Sequence, residues 1–344
     1  MPAARRITRV HGFGLLACSF LLGNVASAAD EPKLIDVVAK TREAIEANRA
    51  AAKSVELRGE WHSKGKILKQ GKGVLPPKMQ PPQPYEISGR FVYLAEESGE
   101  RKRWEKSIEK NNSSIDFGTA RMALKDGIVL DADDPKQGYL RTPRSMDYAQ
   151  FDFYRDHWEY YNGDNGELAG GIDAFEKDLR AHPEFWSVKT SDDRTLELIC
   201  EFEDDGYQFR RNVEVRPDWN HLPQRLTGYG DVDKIKAYGE GDVIEWTWKQ
   251  EPESQVWYPA TFKRRGWMIF PDGTVFQEGS TYEVTEVHFN RPIDAARFTF
   301  ADLGLRPGAR VYDMRVDPET AYRFRPSPES PKDVFDELIV TEGK

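Results

Sequence analysis

"TLELICEFEDDGYQFRRNVEV", residues 195–215, decides the fold because two alternating runs flank a short turn. One face of the two runs carries the apolar side chains Leu196, Leu198, Cys200, Phe202, Tyr207, Phe209, Val213 and Val215. Glu197 and Glu201 alternate with them on the other face of the first run. This period of two predicts β-strands with one packed and one solvated face, and the Asp-Asp-Gly between them predicts a turn. The stretch therefore predicts an antiparallel hairpin.

The same pattern continues toward the C-terminus and predicts an antiparallel meander. "VIEWTWK", residues 243–249, places Ile244, Trp246 and Trp248 on one face, and the turns "GEGD" and "PDG" separate further strands. "VWYPATFK", residues 256–263, has Pro259 within an otherwise strand-like run. Because proline has no N–H for a sheet ladder, it predicts an edge or a bulge where the sheet bends.

Helices are predicted in two places. Residues 31–54 read as an amphipathic N-terminal helix, with Pro32 in its first turn and Leu34, Val37, Val38 and Ile45 mostly on one face. A helical insertion is predicted over about 145–183. These helices are available to cover the apolar face of one long, strongly bent antiparallel sheet, which gives an α+β fold.

Two proline-rich segments interrupt the regular pattern. Residues 64–84 predict a solvated loop, with a mobile flap over a cavity as the alternative interpretation. Residues 317–344 predict an extended proline-rich C-terminal tail that ends in a short helix.

The N-terminus indicates an exported protein. Three arginines precede the apolar run "GFGLLACSFLLG", and small residues follow in "VASA". This layout predicts a signal peptide over residues 1–29 that is cleaved near Ala28, and hence a periplasmic or secreted protein. The alternative is a lipid anchor at Cys18 in "LLAC", but the apolar run continues beyond Cys18. That run is also shorter than the roughly 20 residues that span a bilayer, so no transmembrane segment is predicted.

The net charge indicates which partners to expect, and the cysteine content indicates what stabilises the domain. Without its leader the chain keeps 46 basic and 58 acidic residues, a net charge near −12. Such a chain repels phosphate backbones, so nucleic acid is not expected as a partner. Cys200 is the one cysteine beyond the leader, so the domain must be held by its core rather than by a disulfide.

Catalytic and metal-binding signatures are not apparent in the sequence. His62, His157, His182, His221 and His288 are isolated, and no zinc, nucleophile-elbow or phosphate-loop spacing is present. The acidic runs at 131–134 and 203–205 read as turns. We therefore expect no catalytic residue, metal or cofactor, and the chain is predicted not to be an enzyme. A pair of distant carboxylates in a glycan hydrolase remains an alternative.

Aromatic residues are dense on faces that should point inward. The candidate ligand-binding side chains, which share inward phases within their own strands, are Phe91, Tyr93, Phe202, Phe209, Trp246, Trp248, Tyr258 and Phe262. Two interpretations follow from this pattern. The side chains form either a packed core under the helices or an apolar cavity that accepts acyl chains or a hydrophobic peptide.

The C-terminal third resembles the LolA-like superfamily of exported proteins. The motifs that carry the resemblance are Trp257-Tyr258-Pro259, a strand that ends near 289–293, an F-x-F at 298–300 and a G-x-x-V-x-D ending at 308–313. The resemblance implies an open, unclosed β half-barrel over residues 30–316, with helices in its mouth and a hydrophobic interior. It implies no catalysis.

Together these observations predict an exported, non-enzymatic protein that holds a hydrophobic ligand, a lipoprotein or an apolar peptide in the concave face of its sheet. The alternative partner is an envelope protein that docks on the proline-rich loop and tail.

Overall fold

The computed structural model describes residues 33–73, 75–76, 80–96, 99–112, 119–143, 153, 171–191, 193–204, 207–231, 243–316, 320–326 and 333–340. The predicted leader, residues 1–29, lies outside these ranges, as does most of the predicted helical insertion before residue 171. None of the described helices is both long and apolar enough to cross a membrane.

Two α-helices and sixteen strands make up the described chain. The helices are α1 (Leu34–Ala51) and α2 (Gly171–Ala181). The strands of the N-terminal half are β1 (Ser54–Lys69), β2 (Tyr85–Glu96), β3 (Arg101–Asn111), β4 (Ala120–Lys125), β5 (Ile128–Asp134) and β6 (Gln137–Arg141). Those that follow α2 are β7 (Trp186–Thr190), β8 (Leu196–Asp204), β9 (Tyr207–Arg216), β10 (Leu222–Asp231), β11 (Val243–Gln250), β12 (Trp257–Ile269), β13 (Val275–Phe289), β14 (Arg310–Asp313), β15 (Thr320–Phe324) and β16 (Leu338–Val340).

All sixteen strands belong to one sheet that does not close on itself. Its order is β16-β15-β14-β6-β5-β4-β3-β2-β1-β13-β12-β11-β10-β9-β8-β7, so β16 and β7 are the two edges. The α+β class and the open, curved sheet are therefore confirmed. The pairing is antiparallel except between β6 and β14, which run parallel, a pair that the sequence does not predict.

The hairpin predicted from residues 195–215 is formed by β8 and β9. Leu198 pairs with Val213 and Cys200 pairs with Arg211, and Leu198, Cys200 and Val213 are all buried. Cys200 is thus a small core residue, as its position in the alternation predicts.

Bulges in the central strands add twist and curvature. The register of β1 against β13 shifts between Arg58 and Gly59, and that of β2 against β3 shifts between Ser88 and Gly89. A Cβ atom on Gly59 would lie 2.0 Å from the carbonyl oxygen of Glu283, so the strands approach closely there only because the residue is glycine.

Pro259 lies at a bulge, as predicted. In the β11–β12 ladder Thr247 pairs with Thr261 and Trp248 pairs with Pro259, which leaves Ala260 as the extra residue. Because β12 lies between β11 and β13, this is a bulge inside the sheet and not an edge.

The inner face of the sheet, defined here as the face on which α1 and α2 pack, carries the larger core. Val37, Val38 and Ile45 of α1 share one buried cluster with Phe175 and Leu179 of α2. Helix α1 contacts α2 and β10, and the short 3-10 turn Pro183–Phe185 contacts β8. Both helices therefore bury their apolar stripes against the sheet.

A second core lies on the opposite, outer face. Leu94, Leu130 and Leu140 of the sheet pack with the C-terminal side chains Phe298 and Phe324. The outer face of β2 to β6 is thus not solvated, because C-terminal apolar side chains, among them Phe298, Phe300 and Phe324, cover it.

The proline-rich tail differs from the predicted linker. Its strands β15 and β16 join the sheet, and Phe324 and Val334 are buried. The carboxylate of Glu337 accepts a hydrogen bond from the backbone N–H of Phe300, at 3.2 Å. This segment belongs to the fold because its few apolar residues fill the outer-face core.

The predicted loop at 64–84 also begins later than the sequence suggests. Lys64 to Lys69 continue β1, where Lys64 pairs with Gly279 of β13 and with Glu86 of β2. Beyond the strand, Gly71 donates its N–H to Thr274 Oγ1 at 2.9 Å. The alternation of lysine with Gly65 and Ile67 is a strand pattern that the high lysine content hides.

Candidate functional site

A connected series of aromatic rings crosses the inner face of the sheet. The rings of Phe91 and Trp104 stack with centroids 5.5 Å apart, and Phe91 meets Tyr282 edge-on at 5.6 Å. Phe262 lies 6.1 Å from Tyr282, and Trp246 lies 6.1 Å from Phe262. These spacings are those of favourable aromatic pairs. The five rings, named here the aromatic chain, join β3 to β11.

Strand register explains why these rings meet. Phe262 of β12 and Trp61 of β1 both pair directly with Tyr282 of β13. Tyr93 of β2 pairs with Trp104 of β3. Directly opposed residues of antiparallel strands share a face and have Cβ atoms about 5 Å apart, so large rings at these positions must touch.

Three of the eight predicted site residues, Phe91, Trp246 and Phe262, are members of the aromatic chain. Tyr93 and Trp248 lie in the same buried cluster. The Trp248 indole N–H donates to the carbonyl oxygen of Pro223 at 2.8 Å, which satisfies its polar atom inside the core.

The other three predicted residues lie elsewhere or are not described. Phe202 and Tyr258 are partly buried at the margin of the cluster, where Phe202 neighbours Phe185 at 5.8 Å and Tyr258 neighbours Phe289 at 6.2 Å. The side chain of Phe209 lies outside the described residues. The structure therefore brings together the central members of the predicted set and leaves Phe202 and Tyr258 apart.

The aromatic chain itself is packed rather than open. Its five side chains are between 1% and 3% exposed. Such packing is typical of a core under helices and leaves no room for a ligand. A ligand could therefore bind only where side chains of the same face are exposed.

One accessible part of this face lies on β3 and β4. Ile108, Ala120, Met122 and Leu124 are partly buried and pack against the inner-face core. Met122 is directly opposite Trp104 in the β3–β4 ladder, so this group continues the aromatic chain. We call these four residues the β3–β4 margin. It offers a flexible methionine and aliphatic side chains next to buried rings.

A lysine lies where the margin meets the aromatic chain. Lys106 is partly buried and is paired with Phe91 on one side and with Ala120 on the other. Its Nζ atom lies 3.6 Å from the centroid of the Trp61 ring and 3.4 Å from Tyr282 Oη. Burial away from water lowers the pKa of Lys106 to about 8.

Sequence reasoning did not select Trp61, Trp104, Lys106 or Tyr282 as site residues. Trp104 and Lys106 lie in "RKRWEKSIEK", whose charges obscure an inward phase made of every second residue. Strand pairing across β1, β2, β3 and β13 brings the four together, and that pairing is not visible in local alternation. The signal that could have found Trp104 and Lys106 is the phase that they share with Ile108.

A separate cavity of about 200 Å³ is formed by β1, β11, β12 and β13. Its basic and acidic lining residues are His62, Lys64, Lys66, Glu245, Lys263, Arg264, Arg265 and Glu278. Positive side chains outnumber negative ones there, although the whole chain is acidic.

The buried carboxylates of the described chain have structural partners. Asp131 Oδ2 pairs with Arg141 Nε at 2.7 Å, and Asp313 pairs with Arg315 at 2.6 Å. Asp131 is 6% exposed, so the acidic run at 131–134 is not the solvated turn that the sequence suggests. In the part of the chain that is described, no group of three or more histidine, cysteine or acidic residues is arranged to hold a metal ion.

No protein-family profile and no curated protein matches this sequence. Solved structures to which this chain is similar include a DUF1329 family protein from Desulfovibrio piger, with 10% sequence identity and a TM-score of 0.37. That match covers 77% of this chain and 98% of the other.

Two further solved structures are similar at the same low level. A domain named for outer membrane lipoprotein sorting, from Vibrio parahaemolyticus, is 9% identical over 78% of this chain and 99% of its own, with a TM-score of 0.35. The MucA/MucB complex of Pseudomonas aeruginosa gives 9% identity over 75% and 100% of the two chains, with a TM-score of 0.22. At these values the likeness carries no conclusion about ligand or partner.

Proposed function

We propose that this chain is an exported, non-enzymatic binding protein that holds the hydrocarbon part of a ligand on the inner face of its open sheet. The observation that carries the proposal is the β3–β4 margin. Its four partly exposed apolar side chains are continuous with the buried aromatic chain, so a ligand placed there adds to an existing apolar core.

The chemistry of the margin suits binding. Aliphatic side chains and ring edges supply contact area, and burial of apolar surface contributes about 25 cal/mol per Å². A hydrocarbon chain needs no directional partners. A long ligand would extend from Met122 toward Phe91 by displacing side chains of the aromatic chain, and an unbranched methionine accommodates such rearrangement well.

A change at Met122 tests the proposal. Wild type is expected to take up the uncharged fluorescent probe N-phenylnaphthylamine with increased emission. Met122→Asp should weaken uptake roughly tenfold, because a carboxylate at the margin must be desolvated when the probe binds. Met122→Leu keeps the apolar surface and serves as the control. Absence of probe uptake by wild type, or equal uptake by Met122→Asp, would contradict the proposal.

Export through the leader is part of the same proposal. The predicted cleavage near Ala28 should give a mature N-terminus at or next to Asp30, and a chain with Cys18→Ser should be processed in the same way. N-terminal sequencing of the exported protein checks both points. A mature N-terminus at Cys18 would show that the lipid anchor is the correct alternative.

A second candidate function is docking of an envelope protein on the C-terminal edge of the sheet. The observation that favours it is β16, an edge strand on which Ile339 and Val340 are 47% and 64% exposed. Edge strands with exposed apolar side chains are templates for strand addition. Ile339→Lys should abolish such an interaction and leave probe uptake unchanged. Retention of the same partners by the variant in cross-linking would oppose this candidate.

A further inference from the structure

Lys106 is a charged residue of β3 whose side chain points to the inner face, a strand phase that it shares with Lys102. The neighbouring cation Arg103 is on the outer face, where it forms ion pairs with Glu105 and Asp302. Lys106 instead contacts the face of the Trp61 ring and the Tyr282 hydroxyl. The strand therefore directs the charge of Lys106 toward the aromatic rings of the inner face.

The charge of Lys106 is only partly compensated. No carboxylate among the described residues forms an ion pair with its Nζ atom, which donates a hydrogen bond to the hydroxyl of Tyr282 at 3.4 Å. A cation over an aromatic ring is stabilised only modestly. That stabilisation is smaller than the penalty for removing an ammonium group from water, so the site favours an added negative charge.

We propose that Lys106 binds the carboxylate of a fatty acid whose hydrocarbon chain lies on the β3–β4 margin. This inference rests on the proposed function and adds the class of ligand to it. The carboxylate would accept a charge-assisted hydrogen bond from the ammonium group. Tyr282 Oη is close enough to Lys106 Nζ to contribute a second donor.

The geometry favours a fatty acid over other amphiphiles. One ammonium group balances one negative charge, which matches a carboxylate and not a dianionic phosphate monoester. Ala120 is directly opposite Lys106, and Met122 follows two residues later on the same face of β4. A head group at Lys106 therefore lets a single acyl chain continue along the margin away from Trp61.

The experiment compares two ligands that differ only in the charge of the head group. Oleate and methyl oleate are titrated against the mature wild-type protein loaded with N-phenylnaphthylamine, and displacement of the probe is measured. Wild type should bind oleate at least tenfold more tightly than methyl oleate, as expected for a hydrogen bond between charged groups.

Variants of Lys106 separate its charge from its packing. Lys106→Met and Lys106→Gln should each remove the preference for oleate and leave the affinity for methyl oleate within about twofold, while Lys106→Arg should retain most of the preference. Lys110→Met is the matched control, because Lys110 is exposed on the same strand. Thermal unfolding followed by circular dichroism confirms that each variant is folded.

The outcomes distinguish this inference from the proposed function. Equal binding of both ligands by wild type, or an unchanged preference in folded Lys106→Met and Lys106→Gln, would overturn the role of Lys106 and leave the binding function intact. If neither ligand displaces the probe from wild type, the inference and the proposed function fail together. Loss of the preference in Lys110→Met as well would also overturn it, because the effect would then not be local.

Discussion

The Nζ atom of Lys106 lies 3.6 Å from the centroid of the Trp61 ring, which places a positive charge among the aromatic side chains of the inner face. Its other neighbours on that face include Phe91 and Tyr282, of which only Tyr282 is titratable. Burial lowers the pKa of Lys106 to about 8, well below its ordinary value of 10.5. Because the pKa of Lys106 is lowered in the folded protein, the free energy of unfolding depends on pH.

Replacement of Lys106 should stabilise the ligand-free protein near neutral pH. Between the folded and unfolded pKa values of Lys106, about 8 and 10.5, the unfolded chain binds more protons, so wild-type stability should rise with pH across this window. Lys106→Met should gain about 1 kcal/mol at pH 7, after allowance for partial exposure, and lose that gain toward pH 10.5. Urea unfolding at several pH values measures the difference, and a gain that does not vary with pH would contradict the prediction.

Asn48 fastens α1 to the start of β12. Its side-chain amide donates to the carbonyl oxygen of Trp257 and accepts from the N–H of the same residue, both at 2.7 Å. Asn48→Ala should lower the free energy of unfolding by about 1–3 kcal/mol, because both backbone groups lose their partner. Glu46→Ala, at an exposed position of the same helix, is the control. If both variants unfold at the same urea concentration, the amide does not hold the helix.

Arg103 holds the C-terminal segment on the outer face. The guanidinium is buried, pairs with Asp302 and Glu105, and donates to the carbonyl oxygen of Arg297. Arg103→Met should cost about 2–4 kcal/mol, because Glu105 and the carbonyl of Arg297 lose this donor and Asp302 keeps only its pair with Arg297. Arg101→Met, which removes a long ion pair of 3.8 Å with Glu96, should cost less than about 1 kcal/mol. If both variants lose the same free energy of unfolding in chemical denaturation, the buried ion pairs of Arg103 contribute no more to stability than the exposed one of Arg101.

Gly59 allows close contact between β1 and β13. A Cβ atom there would meet the Glu283 carbonyl oxygen at 2.0 Å and the ring of Phe91 at 2.7 Å, so Gly59→Ala must displace backbone. The variant should lose about 2–4 kcal/mol, whereas Glu60→Ala at the neighbouring exposed position should change stability by less than about 0.5 kcal/mol. Thermal unfolding compares them. If Gly59→Ala unfolds at the same temperature as wild type, the backbone at the bulge can move apart without loss of stability.

The sequence predicted the parts of the fold that depend on local alternation. The β8–β9 hairpin, the helix at α1 and the bulge at Pro259 all follow from the period of apolar residues or from the missing proline N–H. The parallel pair β6–β14 could not be predicted, because it joins residues about 170 positions apart through a register that local pattern does not encode. The outer-face core was not predicted, because Phe298, Phe300 and Phe324 lie in short segments whose apolar residues have no regular spacing.

The candidate site was predicted only in part. Inward phase identified Phe91, Trp246 and Phe262, but the residue that connects them is Tyr282, and its contacts depend on the pairing of β13 with both β1 and β12. Lys106 was missed because a lysine in a charged strand is expected to face water. The partial exposure of the β3–β4 margin depends on which part of the sheet the helices cover, and that is a property of the folded chain.

Quenching of tryptophan fluorescence by a dibrominated stearate measures whether hydrocarbon binds against the inner face. Bromine quenches indole emission only at contact distance, and Trp61, Trp104 and Trp246 all lie on this face. We expect saturable quenching of wild type that is largely lost in Trp104→Phe, because Trp104 is opposite Met122 at the margin. Absence of saturable quenching, or quenching that Trp104→Phe leaves unchanged, would contradict the account.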